Sequence, residues 1–231
     1  MPKVFIGVGH GGKDPGAVAN GLKEKDINLG VALSCAEELE KYNIEVLLSR
    51  YTDEDDSVTE EIKECNNFGA DLAIDFHINA GGGDGTEIFH HSLGCNSKRL
   101  AQCLEEQVKL LNNSRGIKTR INENTGKDYY AFIRDTNPPA VIVESAFIDN
   151  LEDIQCIDEE EEQKTFGKAY AVGILNYLGI NKNNFQEDTE LKELINKIML
   201  GINETSKNFE NLIEAFANFK SELDNFEKGG K

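Results

Sequence analysis

Lys3-Val4-Phe5-Ile6-Gly7-Val8-Gly9-His10-Gly11-Gly12-Lys13-Asp14-Pro15-Gly16-Ala17 opens with a short apolar run that breaks into glycines around one histidine. Val4 to Gly9 reads as a buried strand, short, apolar and rich in β-branched residues. Its C-terminal edge is where open α/β sheets place their ligand sites, and the glycines let other groups approach the backbone closely. Gly7, Gly9 and Gly12 formally satisfy GxGxxG, the dinucleotide fingerprint. That fingerprint requires a helix to open directly and an acidic residue for a ribose. Here Asp14-Pro15-Gly16 follows, the next helix begins only near Glu24, and the second strand ends in Ser49-Arg50, so nucleotide binding is set aside.

Outward from this strand, β-branched runs alternate with amphipathic stretches as far as about Ile180, the pattern of an α/β domain. Asp26 to Tyr42 carries Ile27, Val31, Leu33 and Leu39 at helical spacing, and Ile44 to Ser49 predicts the second strand. Ser57 can cap a helix to Phe68, with Glu60 three residues on. Leu72 to Phe76 predicts a third strand, and Thr86 to His91 a fourth at or near an edge because its residues alternate in polarity. A helix from about Ser97 to Leu111, strands at Tyr129 to Ile133 and Ala140 to Val143, and a helix near Gln163 to Leu178 complete the set. The expected fold is a twisted, mostly parallel sheet of about six strands flanked by helices.

Residues 1–180 are therefore expected to form one domain, 181–190 a polar linker, and 191–228 a long helix. In that last segment apolar residues recur in alternating steps of four and three, at Leu191, Ile195, Ile198, Ile202, Phe209, Leu212, Phe216, Phe219, Leu223 and Phe226, with Thr205 the sole lapse. A seam held in register over about five heptads predicts a coiled coil and a homo-oligomer.

Charge narrows the partners. Against 24 Lys and Arg stand 42 Asp and Glu, a formal net charge of −18, which leaves no basic stripe for nucleic acid and no attraction to an anionic membrane. No window is long enough to cross a bilayer, and the N-terminus enters a strand without an apolar core of secretory length. Synthesis in the cytoplasm without a signal is expected. Cys35, Cys65, Cys95, Cys103 and Cys156 are odd in number and scattered, and read as reduced thiols.

Four ionisable residues fall where the strand and helix pattern brings them together. His10 ends the first strand, and the third runs Ile74-Asp75-Phe76-His77-Ile78-Asn79. If these strands are parallel, both histidines end on the same sheet edge. Glu24, in the first turn of the helix after the glycine loop, faces them. Alone, Glu24 is a residue favoured by the helix dipole and His77 a hydrogen-bonded core histidine. Together, two imidazoles and one carboxylate are the set used by catalytic zinc sites that keep a fourth position open. Val141-Ile142-Val143-Glu144 puts a carboxyl at the end of another buried strand, costly unless it is paired, for instance by Arg134 across the sheet, or put to use. His90 and His91 are strand neighbours that point to opposite faces and cannot share one metal.

These segments, in this order, resemble the zinc-dependent N-acetylmuramoyl-L-alanine amidases called amidase 3. The resemblance covers about residues 3 to 180: a GHGG-x-D-x-GA loop, a Glu opening the next helix, H-x-N-A at a strand end, and PA-x-x-VE followed by F-x-x-N. It implies that His10, Glu24 and His77 bind Zn2+ and that Glu144 is the catalytic acid/base for cleaving the bond between N-acetylmuramic acid and L-alanine in peptidoglycan. Family members commonly carry Asp-Pro where this chain has Gly7-Val8, and Arg in the helix where Glu61 to Glu64 stand. Arg134 and Asn79 are candidates for contacting substrate by their nearness in sequence. The implied role is that of an endolysin released through a holin or by lysis. A wall-binding protein that kept the fold, or a zinc hydrolase of another amide, are the rival expectations.

Overall fold

The computed structural model describes residues 1–180, apart from the side chain of Cys95. The predicted linker at 181–190 and the heptad segment at 191–228 lie outside the described residues.

The described chain runs β1 (Lys3–Val8), β2 (Val18–Ala19), β3 (Leu22–Lys23), α1 (Glu24–Glu40), β4 (Glu45–Leu48), α2 (Val58–Phe68), β5 (Leu72–Asn79), β6 (Thr86–His90), α3 (Cys95–Val108), β7 (Ser114–Lys118), α4 (Ala131–Asp135), β8 (Ala140–Phe147), α5 (Leu151–Ile154) and α6 (Glu160–Leu178). Six strands form one sheet in the order β4-β1-β5-β8-β6-β7, with β2 and β3 a separate hairpin. β1 pairs parallel with β4 and β5, β5 with β8, and β6 with β7; β6 runs antiparallel to β8. The expected mostly parallel α/β sheet is what forms.

Strand alternation sorts the side chains into two unequal layers. Val4, Ile6, Val8, Leu72, Ile74, Phe76, Ile78, Val141 and Val143 face the larger core, built with Ile27, Val31, Leu39, Phe166, Tyr170 and Ile174 of α1 and α6. The opposite face holds Phe5, Ala73, Ala140 and Ile142 with Cys65 of α2 and Phe132 and Ile133 of α4. Continuing the same alternation, Asp75, His77 and Glu144 belong to this second, thinner face. The apolar layer ends there and the ionisable residues begin.

The sequence misleads at the far side of the sheet. Tyr129 to Ile133, aromatic and β-branched, predicts a strand, but Ala131–Asp135 is a short helix. Phe132 and Ile133 both bury into the second core, which adjacent residues of a strand could not do, and the Thr136 hydroxyl donates to the Phe132 carbonyl at the helix end. The sixth strand is instead Ser114–Lys118, Ser-Arg-Gly-Ile-Lys, with a single large apolar residue to announce it. It occupies the edge, so β6 lies one strand inside and all five of its residues are buried.

The Ser57 cap is present: its hydroxyl accepts from the Glu60 amide at 3.3 Å and donates to the Glu60 carboxylate at 2.9 Å. Cys35 and Cys65 are buried free thiols, and Cys103 and Cys156 are partly buried ones. No helix among the described residues is long and apolar enough to cross a membrane.

Candidate metal centre

Local sequence aims each of three donors at one point. Asn20 and Gly21 take left-handed backbone angles, φ 52° and 79°, and close the β2-β3 hairpin that delivers the chain to α1. Glu24 is consequently the first residue of α1, with its amide donating to Ala17 O at 2.9 Å. Its carboxylate accepts from the Ala17 amide at 2.8 Å and the Ile78 amide at 3.1 Å, so both oxygens are held by backbone.

His77, near the C-terminal end of β5, has Nδ1 3.0 Å from Glu24 Oε1, and His10 Nε2 lies 3.3 Å from Glu24 Oε2. The two imidazole rings meet nearly edge to face with centroids 5.2 Å apart. One ligand atom from each of His10, Glu24 and His77 lies within 4.8 Å of the others. Ligands about 2.0–2.1 Å from a tetrahedral metal stand roughly 3.3 Å from one another, and the two imidazole–Glu24 spacings match that value. The remaining ring nitrogens also face carboxylates: His10 Nδ1 lies 2.8 Å from Asp14, and His77 Nε2 lies 3.1 Å from Asp75.

The loop carrying His10 is stapled from outside. Lys25, 6% exposed, reaches Gly12 O and the Asp53 carboxylate, each at 2.7–2.8 Å. Gly12 N and Lys13 N donate to Asp53 and Asp55. Arg50, 1% exposed, donates to the carbonyls of Val8, Lys25 and Thr52, tying β1, α1 and the acidic turn together. This stapling sustains His10 at φ +64°, a left-handed backbone region that non-glycine residues adopt uncommonly.

Electrostatics separate the carboxyls by role. Burial alone would raise the Glu24 carboxyl, but the hydrogen bonds from His10 and His77 hold it well below the usual range, so it is an anion. His10 is raised chiefly by its bond to Glu24; at His77 burial opposes the charge, but Asp75 and Glu24 raise the ring well above its ordinary value. Glu144 behaves oppositely. Burial pushes it up to about 7, opposed by His77 and reinforced by Glu24, Asp75 and Glu87. It pairs in register with His77 across the parallel β5-β8 ladder, so the two side chains stand on the same face of strands whose backbones lie about 4.8 Å apart. A carboxyl poised near neutrality beside two imidazoles and a carboxylate that could hold a metal is equipped to accept and return a proton.

Arg134 is not the partner of Glu144. Its guanidinium pairs with Asp135 and donates to the carbonyls of Asp128 and Tyr129. Asn79 donates to Glu87 at 3.2 Å, and Glu87 faces Glu144 across the β6-β8 pair. Arg115 and Lys118 bind Glu87 and hold its carboxyl low against burial. His90 Nδ1 approaches the His91 carbonyl while His91 Nε2 faces Asp128 at 3.3 Å, so the two rings serve different places.

Sequence reasoning passed over Asp75, although a carboxylate inside the apolar run Leu-Ala-Ile-Asp-Phe, two residues before His77, was a legible sign. Beside His10 and His77 a cavity of about 380 Å3 is lined by Asp14, Glu61, Asp75 and Tyr130. Burial, Asp75 and Asp56 raise the Glu61 carboxyl well above its usual value.

Comparison with known proteins places the domain that carries these residues. The chain is 34% identical over 188 residues to the N-acetylmuramoyl-L-alanine amidase CwlM of Bacillus licheniformis, covering 79% of this chain and 71% of that one. It is 32% identical over 190 residues to the endolysin of Bacillus phage SPP1, covering 78% and 68%. The solved catalytic domain of CwlV, an N-acetylmuramoyl-L-alanine amidase from Bacillus (Paenibacillus) polymyxa var. colistinus, is similar with a TM-score of 0.71 and 28% identity, covering 78% of this chain and all of that one. The pattern of amidase 3, N-acetylmuramoyl-L-alanine amidase, matches residues 4–176, which include His10, Glu24, His77 and Glu144. The chain belongs to the amidase 3 family of N-acetylmuramoyl-L-alanine amidases.

Proposed function

We propose that this protein hydrolyses the amide joining N-acetylmuramic acid to L-alanine in peptidoglycan, holding Zn2+ through His10 Nε2, Glu24 and His77 Nδ1. The observation that carries the reading is the convergence of these three donors beside Glu144 in an amidase 3 chain. Zinc in a three-ligand site acidifies a water to about neutrality and polarises a carbonyl oxygen. The protein's own residues supply the rest. Glu144, ionised above about 7, takes the proton of the attacking water and passes it to the departing amine, the difficult leaving group of an amide. Glu24, fixed by two backbone amides, keeps its charge on the metal side. Asn79 keeps the Glu87 carboxylate beside Glu144, and that second negative charge helps maintain the raised carboxyl.

Incubating the protein with muropeptides and identifying products by mass tests this. Release of stem peptide with a free L-Ala amine is expected, with loss on chelation and recovery on adding zinc. Cleavage at a peptide bond instead would place the chain among hydrolases of another amide, and no release in any sample would leave the wall-binding reading.

The similarity to a phage endolysin supports action on the cell wall after release from the cytoplasm. The heptad pattern of 191–228 supports self-association, which would raise avidity for a repetitive polymer. Solution light scattering is expected to give a mass at least twice that of one chain; a single-chain mass would remove this part of the proposal.

A further inference from the structure

We infer that Asp75 is the positioning residue of the metal centre: it fixes the His77 ring through Nε2 so that Nδ1 faces the metal. The inference rests on the zinc reading above and concerns a residue outside the ligand set.

Asp75 sits within β5, the strand between β1 and β8, and is 2% exposed. A carboxylate in such a place is costly unless partners compensate its lost hydration. Its surroundings offer few. The nearest part of β1 is Gly7, which pairs with Asp75 in register and has no side chain; a Cβ there would lie 2.7 Å from Asp75 Oδ1. The facing residue of α2 is Glu61, another buried carboxyl, 4% exposed. Asp75 Oδ1 has no hydrogen-bond partner among the described residues, and Oδ2 has one, His77 Nε2 at 3.1 Å. A residue serving packing alone would be better apolar at this position, as Ala73 is on the same face.

Three features of the chain converge on this contact. Gly7 vacates the volume that Asp75 fills, Glu61 supplies no cation to draw the carboxylate away, and the two-residue spacing places Asp75 and His77 on one face of β5. The departures at Gly7 and in α2 noted in the sequence therefore serve one contact. His10 has an analogous partner in Asp14, but that side chain is 66% exposed and its hold is correspondingly weak. A buried carboxylate behind a ligating imidazole sets the ring's tautomer and orientation and raises its basicity, and losing such a partner costs about 10–100-fold in metal affinity.

The test is the zinc dissociation constant of the full-length apoprotein, measured by competition with a chromophoric chelator. Asp75→Ala is expected to weaken binding by about 10–100-fold. Asp75→Asn, which keeps an acceptor oxygen in place, should fall between it and the wild type, and Asp14→Asn should change affinity less than either. Gly7→Ala leaves the charge intact but displaces it, and should reproduce the weakening. Thermal unfolding of each apoprotein identifies any variant that fails to fold. At saturating zinc, KM for muropeptide should be unchanged. A folded Asp75→Ala within about threefold of the wild-type constant overturns the inference while leaving the zinc reading intact; a wild-type protein that binds no zinc overturns both.

Discussion

Glu144→Gln is expected to lower kcat/KM for muropeptide hydrolysis by about 10²–10⁴-fold while bound zinc stays near one per chain. The amide has the shape of the carboxyl, so β8 and its register with His77 are retained, but it neither takes the water's proton nor returns one to the amine. A loss of zinc together with activity would instead mark Glu144 as part of the metal's support. The pH profile gives an independent check. Glu144 accepts a proton only when ionised, and burial pushes it up to about 7, so wild-type kcat/KM should rise with pH through about 7 and fall nearly tenfold per unit below it. Stability should show the opposite sign. Between the ordinary carboxyl value of 4.5 and about 7 the folded state binds the extra proton, so stability contributed by Glu144 is present at low pH and lost as pH rises. Chemical denaturation of Glu144→Gln should lack that decline and show a variant more stable than wild type at neutral pH, the sign of a group retained for chemistry.

What could be read in the sequence divides along physical lines. β1, β5 and β8 are buried on both faces and announce themselves as apolar runs. His10, His77 and Glu144 were legible because each interrupts such a run at its C-terminal end, where a buried ionisable group needs a reason. Glu24 was less so, since a carboxylate in a helix's first turn is ordinary, and its placement depends on the Asn20-Gly21 hairpin, a local reversal of the chain. Strand β7 has little apolar content because it is an edge, and α4 is decided by the second core over the strand preference of its aromatic residues. Asp75 was legible as a carboxylate inside an apolar run, but its partner was not, because the contact with His77 depends on which face of β5 the neighbouring strands bury.

Gly9→Ala is expected to remove zinc binding and reduce activity by at least about 10²-fold, with the fold retained. Gly9 has an ordinary backbone angle, its amide donates to Phe76 O at 3.1 Å, and its carbonyl accepts from Asn28 at 2.9 Å; alanine can make all of these. What alanine adds is a Cβ 2.3 Å from His77 Cε1 and 2.5 Å from Nε2. The ring must therefore move by about an ångström, a misplacement of the size that costs about 10²-fold in a catalytic site. Gly16→Ala should behave similarly for a second ligand, since its Cβ would lie 2.6 Å from Glu24 Oε2 and 2.6 Å from His10 Cδ2, with strain added at φ +64°. Gly21→Ala is the contrast. Its Cβ meets nothing within 4 Å, so alanine at φ +79° should cost about 1 kcal/mol of stability and leave zinc affinity unchanged. Zinc titration and thermal unfolding of the three variants decide between two meanings of a glycine-rich strand end. If Gly9→Ala binds zinc as the wild type does, these glycines serve only the turn; if it does not, they are the vacated volumes into which His77, Glu24 and His10 fit.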